Sequence, residues 1–312
     1  MTNSSSNPKK VVLVVSTEDA AKWQPVISSI WLPVFGPKLA EEAIEYKAWE
    51  GTLPTVEDLA PTKERIINAV VVTGSHYHAN DLQNIASKSI SKSQEAWLAP
   101  LRDWIRNFRS HHPGVPLLCS CFGHQIAAIS FGGSVDRNPS DKFVLKVEDV
   151  VPVEGSAAFF QQLESGTEQK TSTPGEKGFT KQTSSCDTNH SDCNSYEVFQ
   201  CHGDTVIERA EDSVHVHSSA SCQFETLYYP PNVLSVQYHP EFTLFHLYDK
   251  IVEPVTQNCM KVECAEAARV QLEERGGSAV LGCADWAEHI LRPFCRAVLE
   301  RGSTRTGTKS GI

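Results

Sequence analysis

The sequence has no apolar run long enough for a signal core or a membrane span. Its first such run, Val11-Val12-Leu13-Val14-Val15, falls far short of the roughly 20 residues a spanning helix needs. Basic residues are in deficit, 28 Lys and Arg against 38 Asp and Glu, for a net charge of −10. That balance argues against nucleic acid as a partner, and with no spanning segment no membrane partner is expected. Cysteine is dilute, ten in 312 residues, so a disulfide scaffold is not expected; most thiols should be free, and the expected address is the cytoplasm. There is no internal repeat, and no G-x-x-x-x-G-K-[ST] loop for nucleotide phosphates. What is present, 40% hydrophobic and 21% charged residues with 18 Gly and 17 Pro, excludes collagen-like, coiled-coil and wholly disordered chains. The length fits one large globular domain or two ordinary ones.

The order of the apolar segments predicts an α/β protein with an open, mostly parallel sheet and helices on both faces. Residues 11–15 and Ala69-Val70-Val71-Val72-Thr73 read as strands buried on both faces. Residues 45–49 are a weaker strand, and 115–118 a fourth. Between the first two strands, Trp23, Val26, Ile27, Ile30 and Trp31 recur at helical spacing within 18–38, which predicts a crossover helix until Pro33 and Gly36 interrupt it. Trp97, Leu98, Leu101, Trp104, Ile105 and Phe108 mark an amphipathic helix, so both tryptophans are expected in the core. Residues 164–195 are polar and predict a disordered insertion. Strands are expected again at 196–201, 214–217 and 233–238, with helices around 264–274 and 286–299. The domain should therefore run from 9 to 300, between disordered tails at 1–8 and 301–312.

The sharpest local signal is Leu117-Leu118-Cys119-Ser120-Cys121-Phe122-Gly123-His124-Gln125, an apolar strand turning at once into an apolar helix. Such an elbow projects one reactive side chain, here Cys121, and needs small neighbours two residues before and after it. Gly123 meets the need; Cys119 is small enough to pack there. At a helix amino terminus the dipole and free N–H groups favour a thiolate. A cysteine nucleophile requires a base, and the base an orienting group. Tyr238-His239-Pro240-Glu241 supplies both, because side chains two apart in an extended chain share a face. Glu241 can then hold His239 in the tautomer that accepts the thiol proton.

These residues resemble the class I, or triad, glutamine amidotransferases, with the GMP-synthase type as the nearest likeness. The resemblance rests on Cys121-Phe122-Gly123-His124-Gln125, on His239-Pro240-Glu241, and on Phe199-Gln200-Cys201-His202-Gly203-Asp204-Thr205-Val206, in the family's order. It spans residues 11–242 apart from the insertion, and implies a flavodoxin-like fold. It also separates the chain from α/β-hydrolases with a cysteine elbow, whose acid precedes the histidine. By resemblance, the backbone N–H groups of Gly74 and Phe122 form the oxyanion hole, although Gly74-Ser75 stands where the family carries Gly-Gly-Pro. Gln125, His202, Gly203 and Asp204 would lie near the α-amino and α-carboxyl groups of a γ-glutamyl substrate.

The implied chemistry is cysteine-dependent hydrolysis of a γ-glutamyl amide, with no metal and no organic cofactor. No room is expected for a synthetase domain after Glu241. The alternatives are therefore a free-standing hydrolase similar to plant γ-glutamyl peptidases, a glutaminase subunit feeding ammonia to a separate synthetase, or an inactive binding module. Cys186, His190 and Cys193 lack a second ligand pair at zinc spacing and are not read as a metal site. His76, His78, His111 and His112 have no evident carboxylate cluster around them and are read as loop residues; the first two could line a substrate mouth.

Overall fold

The computed structural model describes residues 7–83, 92–139, 143–165, 195–243, 246, 250–251, 266–267, 270–271 and 283–307. Eleven strands occur among them: β1 (Lys9–Ser16), β2 (Glu42–Lys47), β3 (Arg65–Val72), β4 (Leu117–Ser120), β5 (Ser134–Arg137), β6 (Val144–Pro152), β7 (Tyr196–His202), β8 (Asp204–Glu208), β9 (Val214–Ser218), β10 (Thr226–Tyr229) and β11 (Val233–Val236). Nine form one sheet in the order β2-β1-β3-β4-β11-β10-β9-β6-β7, while β5 and β8 pair separately. The run from β2 to β11 is parallel throughout. Beyond β11 the sheet continues antiparallel.

The parallel half takes its form from continuous branched aliphatics. Along β1, Val12 and Val14 enter one core while Val11, Leu13 and Val15 enter the other, as the two-residue period of a strand requires. The α-helices whose bounds are defined among the described residues are α1 (Leu32–Phe35), α2 (Val56–Leu59), α3 (Asn80–Gln83), α4 (Lys92–His111), α5 (Phe122–Ser130), α6 (Ala157–Ser165), α7 (Cys283–Trp286) and α8 (Arg292–Gly307). One face of the sheet carries α4 and α5, through Trp97, Leu101, Ile105, Phe108, Phe122 and Ile126. The opposite face carries Trp31, just before α1, and Phe35, Phe159, Trp286 and Phe294 from α1, α6 and the C-terminal helices. Trp97 is in the core, and Trp104 packs against it with its indole N–H on the Pro54 carbonyl.

Three expectations change. The crossover after β1 is not one helix but a succession of turns, a 3₁₀ turn at Ser29–Trp31 and the single turn of α1. Pro25 and Pro33 each remove an amide donor there, and Gly36 takes φ of 71°, so no continuous i→i−4 ladder can form. The helical spacing nonetheless buries Trp23, Ile27, Ile30 and Trp31. At the other end, α8 runs through Gly307, past the boundary expected at 301. Arg301 donates to the Pro231 carbonyl at 3.0 Å, and the Gly302 backbone crosses that of Gly114 so closely that a Cβ on either would meet the other's Cα at 2.9 Å. His111, expected in a loop, closes α4. The insertion read at 164–195 lies almost wholly outside the described residues, as do Cys186, His190, Cys193, most of the helix expected at 264–274, and the start of the amino-terminal tail. Among the described residues no helix is long and apolar enough to cross a membrane.

Candidate active site

Four adjacent parallel strands, β1, β3, β4 and β11, end at one edge of the sheet, and the chain just past each end builds the site. Ligands bind at this carboxyl edge in open α/β sheets. Past β4, Cys121 has φ 50° and ψ −105°, the one positive φ outside glycine among the described residues. Such a conformation costs on the order of 1–3 kcal/mol and persists only where its surroundings impose it. Here the Cys121 N–H donates to Val236 at 2.8 Å, the Gly123 N–H to Thr73 at 3.2 Å, and the Ser120 hydroxyl to the Tyr238 carbonyl at 3.1 Å. Gly123 is obligatory, since a Cβ there would sit 2.6 Å from the Val72 carbonyl oxygen. Cys119 is fully buried, and burial pushes its thiol up; it packs the elbow as expected.

Past β11, the His239 N–H is fixed on the Phe199 carbonyl at 3.0 Å, and Nδ1 lies 2.8 Å from Glu241 Oε1. The other ring nitrogen is thereby left for the thiol. Burial would push this imidazole down, but the charges of Cys121 and Glu241, and hydrogen bonds with both side chains, outweigh it and hold His239 above its ordinary range. The expected Cys121, His239 and Glu241 are thus brought together. Two groups not foreseen also reach the sulfur: Cys121 Sγ lies 3.7 Å from the Cys201 carbonyl oxygen, and Gln237 Nε2 lies 3.8 Å from Sγ.

Past β3, Gly74 sits against the pair. A Cβ built on it would be 2.7 Å from His239 Cε1 and 3.4 Å from Cys121 Cβ. The loop lacks Gly-Gly-Pro and is pinned from β1 instead. The Thr17 hydroxyl lies 3.0 and 2.9 Å from the carbonyls of Thr73 and Gly74, and Ser75 Oγ donates to the Thr17 carbonyl at 2.8 Å. Among the described residues, neither the Gly74 nor the Phe122 amide donates to a protein acceptor. Both amides remain available to an oxyanion beside Cys121.

Gln125, His202, Gly203 and Asp204 line the same cavity, of about 650 Å³. Gln125 Nε2 donates to the Asp204 carbonyl at 2.9 Å. Burial pushes the His202 imidazole down to about 4, so it is neutral at pH 7, with Nδ1 donating to the Asp204 carbonyl at 3.1 Å. His202 Nε2, Asp204 Oδ1 and Glu241 Oε2 are buried without a protein partner among the described residues. At a cavity wall such atoms are free to bond to water or to a ligand.

Two of the four histidines read as lacking carboxylates, His76 and His78, do have them. His76 Nδ1 lies 2.8 Å from Glu18, with Asp19 3.7 Å from Nε2, and His78 Nδ1 lies 3.1 Å from Asp204. The Glu18 hydrogen bond lifts the His76 pKa. The ligand atoms of Glu18, Asp19 and His76 fall within 4.8 Å of one another. Glu18 already accepts from the amides of Ala20 and His76, and Asp19 from the Tyr77 hydroxyl, so the cluster reads as a hydrogen-bonded rim. Trp23, Phe242 and Phe143 complete the wall. Sequence reasoning missed Thr17, Glu18, Trp23, Gln237 and Phe242. Only Thr17 and Gln237, polar residues directly after β1 and β11, carried a local signal.

Comparison with known proteins agrees with this geometry. The family model for class-I glutamine amidotransferases matches residues 98–253, half of the chain. A protein described as glutamine amidotransferase-like from Schizosaccharomyces pombe is 25% identical over 185 residues, covering 59% of this chain and 57% of that one. A protein named as a glutamine amidotransferase from Saccharomyces cerevisiae is 26% identical over 207 residues, 64% of this chain and 63% of that one. The chain therefore matches less than two thirds of either relative's length. The glutamine-hydrolysing GMP synthase of Photorhabdus laumondii is 25% identical over 141 residues, 45% of this chain and 22% of that one. The solved glutamine amidotransferase of Methylobacillus flagellatus, at 14% identity, covers 93% of this chain and 96% of its own with a TM-score of 0.54, and that of Thermotoga maritima, at 17%, covers 93% and 97% with 0.51. They share the flavodoxin-like fold. The chain belongs to the class I glutamine amidotransferase family, whose general chemistry is hydrolysis of the glutamine amide.

Proposed function

We propose that this protein hydrolyses γ-glutamyl amide bonds, in glutamine or in γ-glutamyl peptides and glutathione conjugates, through a γ-glutamyl thioester on Cys121. One observation carries the reading: a strained, helix-terminal Cys121 beside the His239–Glu241 pair, whose Nδ1–Oε1 separation is 2.8 Å, opening on a 650 Å³ cavity. His239 takes the thiol proton while Glu241 holds its tautomer and stabilises the imidazolium. The thiolate attacks the γ-carbonyl carbon, and the oxyanion is met by the Gly74 and Phe122 amides. The C–N bond then breaks, and the amine leaves with its bonding pair and the proton from His239. Water, deprotonated by His239, attacks the thioester, releases glutamate and restores the thiol. Gln237 Nε2 donates toward the sulfur at 3.8 Å. At the glutamyl end, the unpartnered Asp204 Oδ1 suits the α-ammonium, with Gln125, His202 and Gly203 around it.

The cavity supports a leaving amine larger than ammonia. Its volume falls within the roughly 300–1,000 Å³ of sites that enclose whole small molecules. A second reading, a glutaminase subunit delivering ammonia to a separate synthetase, draws on the likeness to GMP synthase. The experiment is glutamate release by the purified protein and by Cys121→Ser, with glutamine, a γ-glutamyl dipeptide and glutathione. Cys121-dependent release from the peptides is expected. Release from glutamine only when a synthetase is added supports the second reading, and silence on all substrates leaves a binding module.

A further inference from the structure

The proton that frees the leaving amine comes from His239, so the amine must depart beside that ring, and what adjoins the ring is the amine's side of the cavity. There the structure holds a continuous stack. The His239 and Phe242 rings lie 4.4 Å apart at 12°, and those of Phe242 and Trp23 lie 5.1 Å apart at 16°. Ile27 and Ile251 line the same cavity and belong to the same apolar cluster as Trp23 and Phe242. At its outer end two ammonium groups sit near Trp23, Lys22 at 6.0 Å and Lys250 at 5.8 Å from the ring centroid. Lys22 is exposed at the rim and donates to the Lys250 carbonyl at 2.6 Å. Among the described residues no carboxylate pairs with it. Glu18 and Asp204 are buried beneath His76 and His78 on the same cavity, and the charge of Lys22 reaches His76.

We infer that the Phe242–Trp23 wall is the leaving-amine subsite, and that it selects γ-glutamyl amides of apolar or aromatic amino acids, with the amine's side chain against the two rings and its α-carboxylate at Lys22. The inference rests on the γ-glutamyl amide reading above and narrows it to one class of amine. With both faces of Phe242 taken by His239 and Trp23, the edges of the stacked rings supply apolar area for a side chain, in the edge-on geometry that aromatic pairs also adopt. A rim ammonium adds charge complementarity that ammonia or a simple alkylamine cannot use. The wall is anchored on the catalytic imidazole itself, so a well-seated side chain also places the scissile nitrogen against the ring that protonates it.

The experiment measures kcat/KM for glutamate release from γ-glutamyl-phenylalanine, γ-glutamyl-glycine, γ-glutamyl-phenethylamide and glutamine. The full chain is used, as wild type, Lys22→Glu and Trp23→Leu. Wild type should prefer γ-glutamyl-phenylalanine over both the glycine peptide and the carboxylate-free amide by about tenfold or more, the range that one pocket contact supplies. Lys22→Glu should bring the phenylalanine-to-phenethylamide ratio toward one. Trp23→Leu should bring the phenylalanine-to-glycine ratio toward one, and because both readouts are ratios within one protein, partial loss of folded enzyme does not mimic them. Equal turnover of the three synthetic amides, or an unchanged ratio in both variants, overturns the subsite. Turnover of glutamine with the amides inert overturns it too while leaving the Cys121 chemistry standing. If no substrate gives Cys121-dependent glutamate, the broader reading has failed and this one with it.

Discussion

Gly74→Ala separates catalysis from folding. The added Cβ would stand 2.7 Å from His239 Cε1, while its next neighbour, Cys121 Cβ, stays at an ordinary 3.4 Å. To restore normal contact the imidazole must retreat by about 0.7 Å. It has little freedom to do so. Its backbone is held at 3.0 Å by Phe199, its Nδ1 at 2.8 Å by Glu241, and its face by Phe242 at 4.4 Å. The ring must therefore tilt against the Glu241 bond or move away from the sulfur, and misplacement approaching 1 Å costs on the order of 10²-fold in rate. Global stability should change little. No positive φ is demanded at residue 74, and the entropy that Ala removes from the unfolded chain, about 0.4–1 kcal/mol, offsets part of the local strain. The assay is kcat for glutamate release beside a urea melt. A kcat within threefold of wild type would refute the placement of His239, and loss of activity accompanied by a collapsed melt would refute the claim that the clash is local.

The remaining predictions concern thiols and buried charge. Cys119→Ser places a hydroxyl in a fully buried site and should cost about 1–3 kcal/mol in a urea melt, with kcat unchanged; a fall in kcat at intact stability would move Cys119 from packing into the chemistry. His239→Asn should slow alkylation of Cys121 by iodoacetamide at pH 7 by about tenfold or more, because the thiolate loses its imidazolium partner; an undiminished rate would refute the coupling. Glu225 is fully buried, and desolvation lifts it from 4.5 to about 8 although the Ser219 hydroxyl and Gln200 Nε2 donate to Oε1. Between those values the unfolded chain binds fewer protons than the folded one, so stability should fall as pH rises from about 4.5 to 8, then level. Glu225→Gln keeps Oε1 and sets its amide at Oε2, which has no partner among the described residues. Urea melts at pH 5 and pH 9 should therefore differ less in the variant than in wild type; an equal difference would place the charge elsewhere.

The parts of the site that could be read from the chain were those in which one short segment carries both the structure and the chemistry. An apolar strand running directly into an apolar helix fixes Cys121, Gly123 and Cys119 together. A two-residue spacing after a strand puts His239 and Glu241 on one face. Other contacts join segments far apart in sequence, such as Thr17 with the Gly74 peptide, Glu18 with His76, and Trp23 with Phe242. They exist because the sheet order places β1 beside β3 and β4 beside β11, and no local pattern encodes adjacency. The crossover was misread for a different reason. Its apolar residues do obey helical spacing, but Pro25 and Pro33 remove the donors that a helix there would need. The far end of α8 is polar in sequence, and its order comes from packing on Gly114 and Pro231.

This division has a consequence for how the molecule can vary. Cys121, Gly74 and His239 lie within three residues of the ends of β4, β3 and β11, parallel strands whose side chains pack into the two cores. The leaving-amine wall hangs on the turns after β1 and on the chain after β11, which tolerate change because they contribute fewer ladder hydrogen bonds. Phe242 is where the two regimes meet, since it stacks on His239 on one side and on Trp23 on the other. Substitution of Trp23 should therefore exchange one amine for another at nearly constant kcat for the preferred substrate. Substitution of Phe242 should reach through to the imidazole, lower kcat for every amide, and shift its pH profile.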